Sequence, residues 1–266
     1  MVVPHDCVKL YAVECSSDEV SELEALDGRV AVDLMNLVRY EVGATTQGSG
    51  VRVFCFGRNA NVEVTPWPMS HYLRITASTC AYIPRLNAAC IRFRDGHAID
   101  KPLLHELTHA FMYELSDSFP YPFAVEEGLA RMMESWIHLV PNAEGDLSRD
   151  LDGREATERY LDDSQFVSIR DLLQFETRET DSEDEEKTDR SEGELTRISR
   201  ASYWMFGYLT LLGRRDPIVR RILREIRAKG IYSPGAVYEW LLHMCGMTPE
   251  ALERGFYLYC TEGRRP

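Results

Sequence analysis

The sequence predicts an α+β fold in two lobes: a mixed sheet with helices in an N-terminal lobe, residues 1–118, and an all-helical C-terminal lobe, residues 119–266. The strand-like segments that we identify all precede Asp100, and helical periodicity dominates the rest of the chain. Two prolines interrupt the helical pattern where the lobes would meet, and we expect a cleft between the lobes. The predicted extended segments are Val8 to Cys15, Val51 to Phe56, and a hairpin from Thr79 to Phe93.

The clearest predicted helix runs from about Asp100 to Leu115, with Asp100 as N-cap and Pro102 in the first turn. It cannot continue far, because Pro120 and Pro122 follow. A second helix is expected to start near Phe123, with an apolar stripe along one face. The remaining predicted helices are Ser17 to Val42, Ile198 to Leu212, Ile218 to Ala228, Ala236 to Cys245 and Pro249 to Cys260.

Composition excludes several classes of partner. The 266 residues are 44% hydrophobic, which is ordinary for a globular protein. They carry 30 Lys and Arg against 43 Asp and Glu, a formal charge of -13. This charge argues against nucleic acid or an anionic membrane as partner. The sequence shows no secretory signal and no membrane-spanning run, so we expect a cytoplasmic protein whose oligomeric state is open.

The seven cysteines are expected to be reduced, buried thiols. Several lie in apolar, strand-like runs such as VRVFCFG and AACIRF. An odd number of cysteines with no CxxC pair argues against a disulfide framework and against a cysteine-ligated zinc.

An acidic segment from Glu176 to Glu194 lacks any large apolar residue. The pattern predicts a disordered or solvated loop within the C-terminal lobe. The alternative interpretation is an acidic docking segment for a basic partner.

Two histidines on one turn of the clearest helix carry the strongest chemical signal. The segment PLLHELTHAFM contains the HExxH pattern, formed by His105, Glu106 and His109. Four residues along a helix correspond to a rotation of about 400°, so both imidazoles project from one face and can bind one metal ion. Neutral imidazole is a good zinc ligand, and a carboxylate beside the metal can take a proton from a water held there. The alternative is a helix whose histidines are capped or packed by ordinary neighbours.

A catalytic zinc needs a third protein ligand and an open position. A third histidine soon after His109 would give the metzincin arrangement, but the next one is His138 and the metzincin spacer is absent. A glutamate on the following helix would give a different arrangement, and the segment after the two prolines reads FAVEEGLAR.

HELTH and EEGLA together resemble the gluzincin zinc metallopeptidases, the group that includes thermolysin-like and aminopeptidase N-like enzymes. In that family the glutamate before the glycine of the second motif binds the metal, so the resemblance implies Glu127 as the third ligand. Glu126 would point about 100° away around the helix and is expected to be a solvent-facing carboxylate at the helix N-terminus. The resemblance also implies a zincin-like fold with the cleft over the two ligand-bearing helices.

The resemblance implies two further features of a peptide site. The hairpin is similar to the family's strand pair, and the edge strand Ala89 to Phe93 would hold a peptide or protein substrate by strand addition. The segment RASYWMFGYL is similar to the helix that carries an aromatic residue over the site, so Tyr203 would hydrogen-bond the developing oxyanion. The alternative is that Tyr203 and its aromatic neighbours are core residues.

One position departs from the family pattern. Some gluzincins place an acidic residue four positions after the glutamate ligand, where it orients a histidine. Here that position is Arg131, so an orienting acid would have to come from elsewhere, with Glu134 as a candidate.

The expected function is therefore a zinc metallopeptidase. His105, His109 and Glu127 would bind Zn²⁺, and Glu106 would activate the zinc-bound water for attack on a peptide bond. Three alternatives remain: a catalytically silent or autoinhibited metal-binding or partner-binding protein of the same fold, a dedicated single-substrate regulatory protease, and a protein without metal.

Overall fold

The computed structural model divides the chain into two compact units, Met1–Ser118 and Phe119–Pro266. Within the described residues the fold is α+β, with a four-stranded mixed sheet and seven helices, as predicted at that level. The described residues are 8–24, 51–60, 80–83, 86–94, 99–115, 121–136, 166–175, 188–212, 225–226, 228, 230 and 233–263.

The sheet lies in the first unit and contains strands β1 (Val8–Val13), β2 (Val51–Phe56), β3 (Cys80–Ile83) and β4 (Ala88–Arg92). Its order is β1-β2-β4-β3. The first three strands in this order are parallel, and β3 pairs with β4 antiparallel. The predicted strands and the hairpin pairing are confirmed. Strands β2 and β4 are nearly continuous apolar runs, which is typical of parallel strands covered on both faces.

Strand β4 is an interior strand, so the prediction of an edge strand from Ala89 to Phe93 is wrong. Its residues pair with β2 on one side and with β3 on the other. The hairpin pattern alone shows one neighbour of β4. The second neighbour, β2, lies far away in the sequence and joins it in parallel, a pairing that a local pattern does not reveal.

A capping box starts the helical residues 17–24, here called α1. The Ser16 hydroxyl accepts a hydrogen bond from the Glu19 amide at 3.4 Å, and the Glu19 carboxylate accepts one from the Ser16 amide at 2.7 Å. Glu19 also accepts hydrogen bonds from the backbone N–H and from Nε of Arg58, both at 3.0 Å. The carboxylate is 3% exposed and joins α1 to the end of β2. The predicted continuation of this helix to Val42 lies outside the described residues.

This carboxylate makes the stability of the first unit depend on pH. Burial opposes its ionisation, but the hydrogen bonds from Arg58 and Ser16 outweigh burial and lower the pKa of Glu19 from its ordinary 4.5 to about 2. A pKa lowered in the folded state stabilises the fold at pH above the unfolded value, and this stabilisation is lost as pH falls from about 4.5 to 2. We expect Glu19→Gln to reduce the free energy of unfolding at pH 7 by about 1–3 kcal/mol, a range that allows for screening at the partly exposed Arg58.

Urea denaturation of both proteins from pH 7 to pH 2 measures this effect. The difference between them should shrink as the pH falls below about 4.5. Glu22→Gln is a matched control, because Glu22 is an exposed residue of the same helix. A difference for Glu19→Gln that stays constant over the whole pH range would contradict the expectation.

Helix α2 (Asp100–Leu115) packs on β3 and β4, and its bounds agree with the prediction. The first helical hydrogen bond runs from the Leu103 amide to the Ile99 carbonyl, which makes Ile99 the cap residue in place of Asp100. The ring of Tyr113 meets that of Tyr82 on β3 edge to face, with centroids 6.2 Å apart. These contacts fix the helix that carries HExxH against the sheet.

The second unit is helical throughout its described residues. Its helices are α3 (Phe123–Trp136), α4 (Ile169–Gln174), α5 (Thr188–Leu212), α6 (Pro234–Cys245) and α7 (Pro249–Glu262). Serine or threonine caps α4, α6 and α7, whose N-cap side chains accept hydrogen bonds from backbone amides. Of the predicted helix Ile218 to Ala228, only residues 225–226 and 228 are described, and they are helical.

Helix α5 begins ten residues earlier than its apolar pattern predicts. Residues 188–194 belong to it, so the prediction of a disordered acidic loop is wrong for this part of 176–194, and residues 176–187 lie outside the described residues. Glu and Arg are good helix formers, and extending an existing helix is far easier than nucleating one. The apolar half of the helix, which starts at Ile198, therefore allows the polar residues before it to continue the same helix.

An aromatic core joins α5 to α7 within the second unit. Tyr208 lies against Phe256 and Tyr259, with centroids 5.7 Å and 5.6 Å apart, and Trp204 meets Tyr259 edge to face at 5.5 Å. Burial raises the pKa of Tyr208 to about 12. Trp204, Phe206 and Tyr208 are thus core residues, as the alternative interpretation held for these three, whereas Tyr203 is half-buried.

The six described cysteines form no disulfide. Cys55, Cys90 and Cys260 are buried, while Cys15, Cys80 and Cys245 are half-buried, so the prediction of buried thiols holds for half of them. Cys7 lies outside the described residues. None of the described helices is long and apolar enough to cross a membrane.

Candidate metal centre

The HExxH residues lie in the middle of α2. His105 and Glu106 are 8% and 4% exposed, and His109 is half-buried. The two Nε2 atoms of His105 and His109 are 3.1 Å apart, and their rings stand at 68° to each other. One turn of regular helix thus brings the imidazoles to one face, as the spacing predicts.

Helix α3 presents the two neighbouring glutamates in different directions. The Glu126 carboxylate turns back to the helix N-terminus and accepts a hydrogen bond from the Tyr121 amide at 3.2 Å. It is half-buried, whereas a solvent-facing side chain was expected. Glu127 is 8% exposed. The two side chains therefore have separate roles, and Glu126 serves to cap α3.

One nitrogen or oxygen atom from each of His105, His109 and Glu127 lies within 4.8 Å of the other two. The three residues form a group that could hold a metal ion. Two ligands about 2.0–2.1 Å from one tetrahedral zinc are about 3.3 Å apart, close to the observed separation of the imidazole nitrogens. Two imidazoles and a carboxylate are also a donor set that zinc accepts with an open fourth position. The residues therefore fit the metal.

A glycine allows α3 and α5 to cross closely beside Glu127. A Cβ at Gly128 would lie 2.7 Å from the Ser202 carbonyl oxygen and 2.5 Å from a ring carbon of Phe206, both on α5. No side chain fits at that distance. The absence of a side chain at Gly128 thus brings the α5 backbone against α3 at the residue next to the ligand.

The close crossing places Ser199 of α5 on the Glu127 carboxylate. The Ser199 hydroxyl donates to Glu127 Oε1 at 2.5 Å. Arg131, one turn after Glu127 on α3, shares its single Nε hydrogen between the same oxygen, at 3.3 Å, and Ser199 Oγ. One carboxylate oxygen of the candidate ligand is therefore held by two donors from the protein.

Glu106 lies close to strand β4. Burial raises the pKa of the Cys90 thiol to about 12, and the negative charge of Glu106 adds to this effect. The thiol thus stays protonated at neutral pH. The Glu106 carboxylate lies in a poorly solvated environment, where its interactions with other charges are stronger than in water.

Tyr203 is half-buried on α5, and its ring meets Trp204 edge to face with centroids 6.4 Å apart. It follows Ser199 by four residues, so both lie on the face of α5 that reaches Glu127. This placement is compatible with the expected oxyanion contact. The role of Tyr203 stays a prediction.

No protein-family model matches the chain, and no match is found among curated proteins or solved structures. The resemblance to gluzincins therefore stays a prediction from the two sequence motifs.

The sequence did not indicate Ser199 as part of the site. It lies 72 residues from Glu127 along the chain, in a helix whose visible signal is aromatic. Arg131 carried a usable signal, because an arginine four residues after a glutamate on a helix is placed to pair with it. The resemblance to gluzincins predicts no such pair, because some members of that family carry an acidic residue at the position of Arg131.

Proposed function

We propose that this protein is a zinc-dependent metallopeptidase of zincin-like fold. The observation that carries the proposal is the convergence of His105, His109 and Glu127, which come from two helices, on one potential metal position. Imidazole nitrogens with one carboxylate suit Zn²⁺ better than the all-oxygen ligand sets that Mg²⁺ and Ca²⁺ prefer.

A bound Zn²⁺ would polarise a peptide carbonyl and make a water molecule more acidic. His105, His109 and Glu127 would bind the ion and leave one position open for these groups. Glu106 directly follows His105 in the chain, and its carboxylate would act on a water molecule in the open position.

The protein's own catalytic step is a proton transfer by Glu106. Its carboxylate would take a proton from the attacking water and later give it to the amine nitrogen that leaves. The buried position of Glu106 suits this role, because a poorly solvated carboxylate interacts strongly with a nearby water. The phenol hydroxyl of Tyr203 would donate a hydrogen bond to the oxyanion.

The substrate would be a peptide or protein in extended conformation. It cannot add to β4, because β2 and β3 already use the backbone hydrogen bonds of that strand. Strand addition would require an outer strand, and on this side of the sheet the outer described strand is β3, which packs on α2.

Metal content and peptide cleavage test the proposal together. Purified protein should contain about one zinc ion per chain, and His109→Ala should lose it. The zinc-loaded protein should cleave members of a broad peptide library, a chelator should stop cleavage, and added zinc should restore it. Zinc well below one per chain would contradict the metal site. Bound zinc without any cleavage, on the library or on candidate protein substrates, would contradict the peptidase and favour a metal-binding or partner-binding protein.

A further inference from the structure

Two polar side chains outside both motifs bind the carboxylate of Glu127. Ser199 is 4% exposed, and its hydroxyl lies 2.5 Å from Oε1. A hydrogen bond to an ionised acceptor in a buried position is among the stronger kinds of hydrogen bond. Arg131 is partly exposed, with 40% of its side chain accessible, and its 3.3 Å contact with Oε1 is longer. Ser199 therefore makes the stronger contact with the ligand.

Arg131 acts on the hydroxyl of Ser199 as well as on the carboxylate. A serine hydroxyl has one hydrogen and rotates to suit its partners. Because Arg131 Nε donates to Ser199 Oγ, the hydroxyl hydrogen turns away from Arg131. The hydroxyl donates to Glu127 Oε1. The guanidinium thus fixes the direction in which Ser199 donates.

We propose that Ser199 and Arg131 are positioning residues for the metal ligand Glu127. Their hydrogen bonds hold Oε1 and fix the orientation of the carboxylate. A carboxylate held in this way enters the site already oriented, and its negative charge is partly compensated by the arginine. This inference rests on the proposed function in one respect, that Glu127 binds zinc.

The close crossing at Gly128 supports this assignment. Ser199 comes from a different helix, and it reaches Glu127 because the α5 backbone lies against Gly128. The arrangement takes the place of the acidic residue that some gluzincins carry at the position of Arg131. There the acid orients a histidine, whereas here the basic residue orients the glutamate.

Zinc affinity measured by competition with a chromophoric chelator tests the proposal. Loss of an outer hydrogen bond to a metal ligand typically weakens metal binding by about 10–100-fold, and we expect this loss for Ser199→Ala. Ser199→Thr keeps the hydroxyl and should restore most of the affinity. Arg131→Met should cause a smaller loss. Because Arg131 acts partly through Ser199, the double variant should bind zinc little more weakly than Ser199→Ala alone.

Matched controls separate positioning from general damage to the fold. Ser202→Ala removes another buried hydroxyl of α5, one that donates to the Ile198 carbonyl, and should leave zinc affinity unchanged. Arg197→Met removes an exposed arginine of the same helix and should also have no effect. If Ser199→Ala does not fold, Arg131→Met still tests the proposal, because Arg131 is partly exposed.

The visible spectrum of the Co²⁺-substituted protein gives a second measurement that a merely structural role would not change. Ser199→Ala removes the hydrogen bond to Oε1, so the orientation of the carboxylate at the metal should change and the cobalt absorption bands should change with it. Unchanged zinc affinity and an unchanged cobalt spectrum in both Ser199→Ala and Arg131→Met would overturn this inference alone. Zinc binding without peptidase activity would overturn the proposed function alone, and a wild-type protein that binds no zinc would overturn both.

Discussion

Glu106→Gln is expected to lower the rate of peptide cleavage by about 10²–10⁴-fold while leaving zinc bound. The amide has nearly the size of the carboxylate, but it cannot take a proton from water at neutral pH. Because His105, His109 and Glu127 are unchanged, the metal content should stay at about one per chain. The loss should appear mainly in kcat, since the proton transfer belongs to the chemical step.

The experiment compares steady-state kinetics of the zinc-loaded wild type and Glu106→Gln on the best peptide from the library. Glu126→Gln is a matched control, because Glu126 is a nearby carboxylate that caps α3 and an amide oxygen can still accept the Tyr121 N–H. This control should retain activity. A Glu106→Gln protein that cleaves at the wild-type rate with full zinc content would contradict the role of Glu106.

Gly128→Ala is expected to destabilise the second unit by about 1–3 kcal/mol, although alanine is the better helix former. The added methyl would overlap the Ser202 carbonyl and the ring of Phe206, which is completely buried. A backbone carbonyl cannot rotate away as an exposed side chain does, so α5 would have to move from α3. Since Ser199 reaches Glu127 across this contact, zinc affinity should fall as well.

Denaturant unfolding and the chelator competition measure the two effects in one protein. Gly235→Ala provides the matched control, because it adds the same methyl group within a helix where nothing lies within 4 Å. That substitution should be neutral or raise stability by up to about 1 kcal/mol. Equal stability of Gly128→Ala and wild type would show that the crossing tolerates a side chain, contrary to expectation.

The parts of the fold that depend on local chemistry were predictable from sequence. Helix α2 follows from its apolar spacing and from the prolines after it, and β2 follows from a nearly continuous apolar run. The HExxH spacing is local in the same sense, because one helical turn decides which side chains share a face. The prediction of Glu127 as a ligand came from the family motif. Helical spacing alone could not give it, because a loop separates Glu127 from His109 in the sequence.

Two features that the sequence did not reveal depend on contacts between distant segments. Whether β4 is an edge or an interior strand depends on its pairing with β2. The paired residues of these two strands are more than 30 positions apart in the sequence. The contact of Ser199 with Glu127 depends on a helix crossing that only a glycine permits. Sequence patterns report which face of an element is apolar, and they leave open which element will cover that face.

The sheet order has a consequence for how the first unit folds. The β3–β4 hairpin closes a short loop, whereas each parallel pairing of β2 joins segments separated by more than 30 residues. The entropy cost of closing a loop rises with its length, so contacts between near neighbours form first. We expect the hairpin and α2 to associate early and β1 to join late. The helix with the two histidines would then be in place before the sheet is complete.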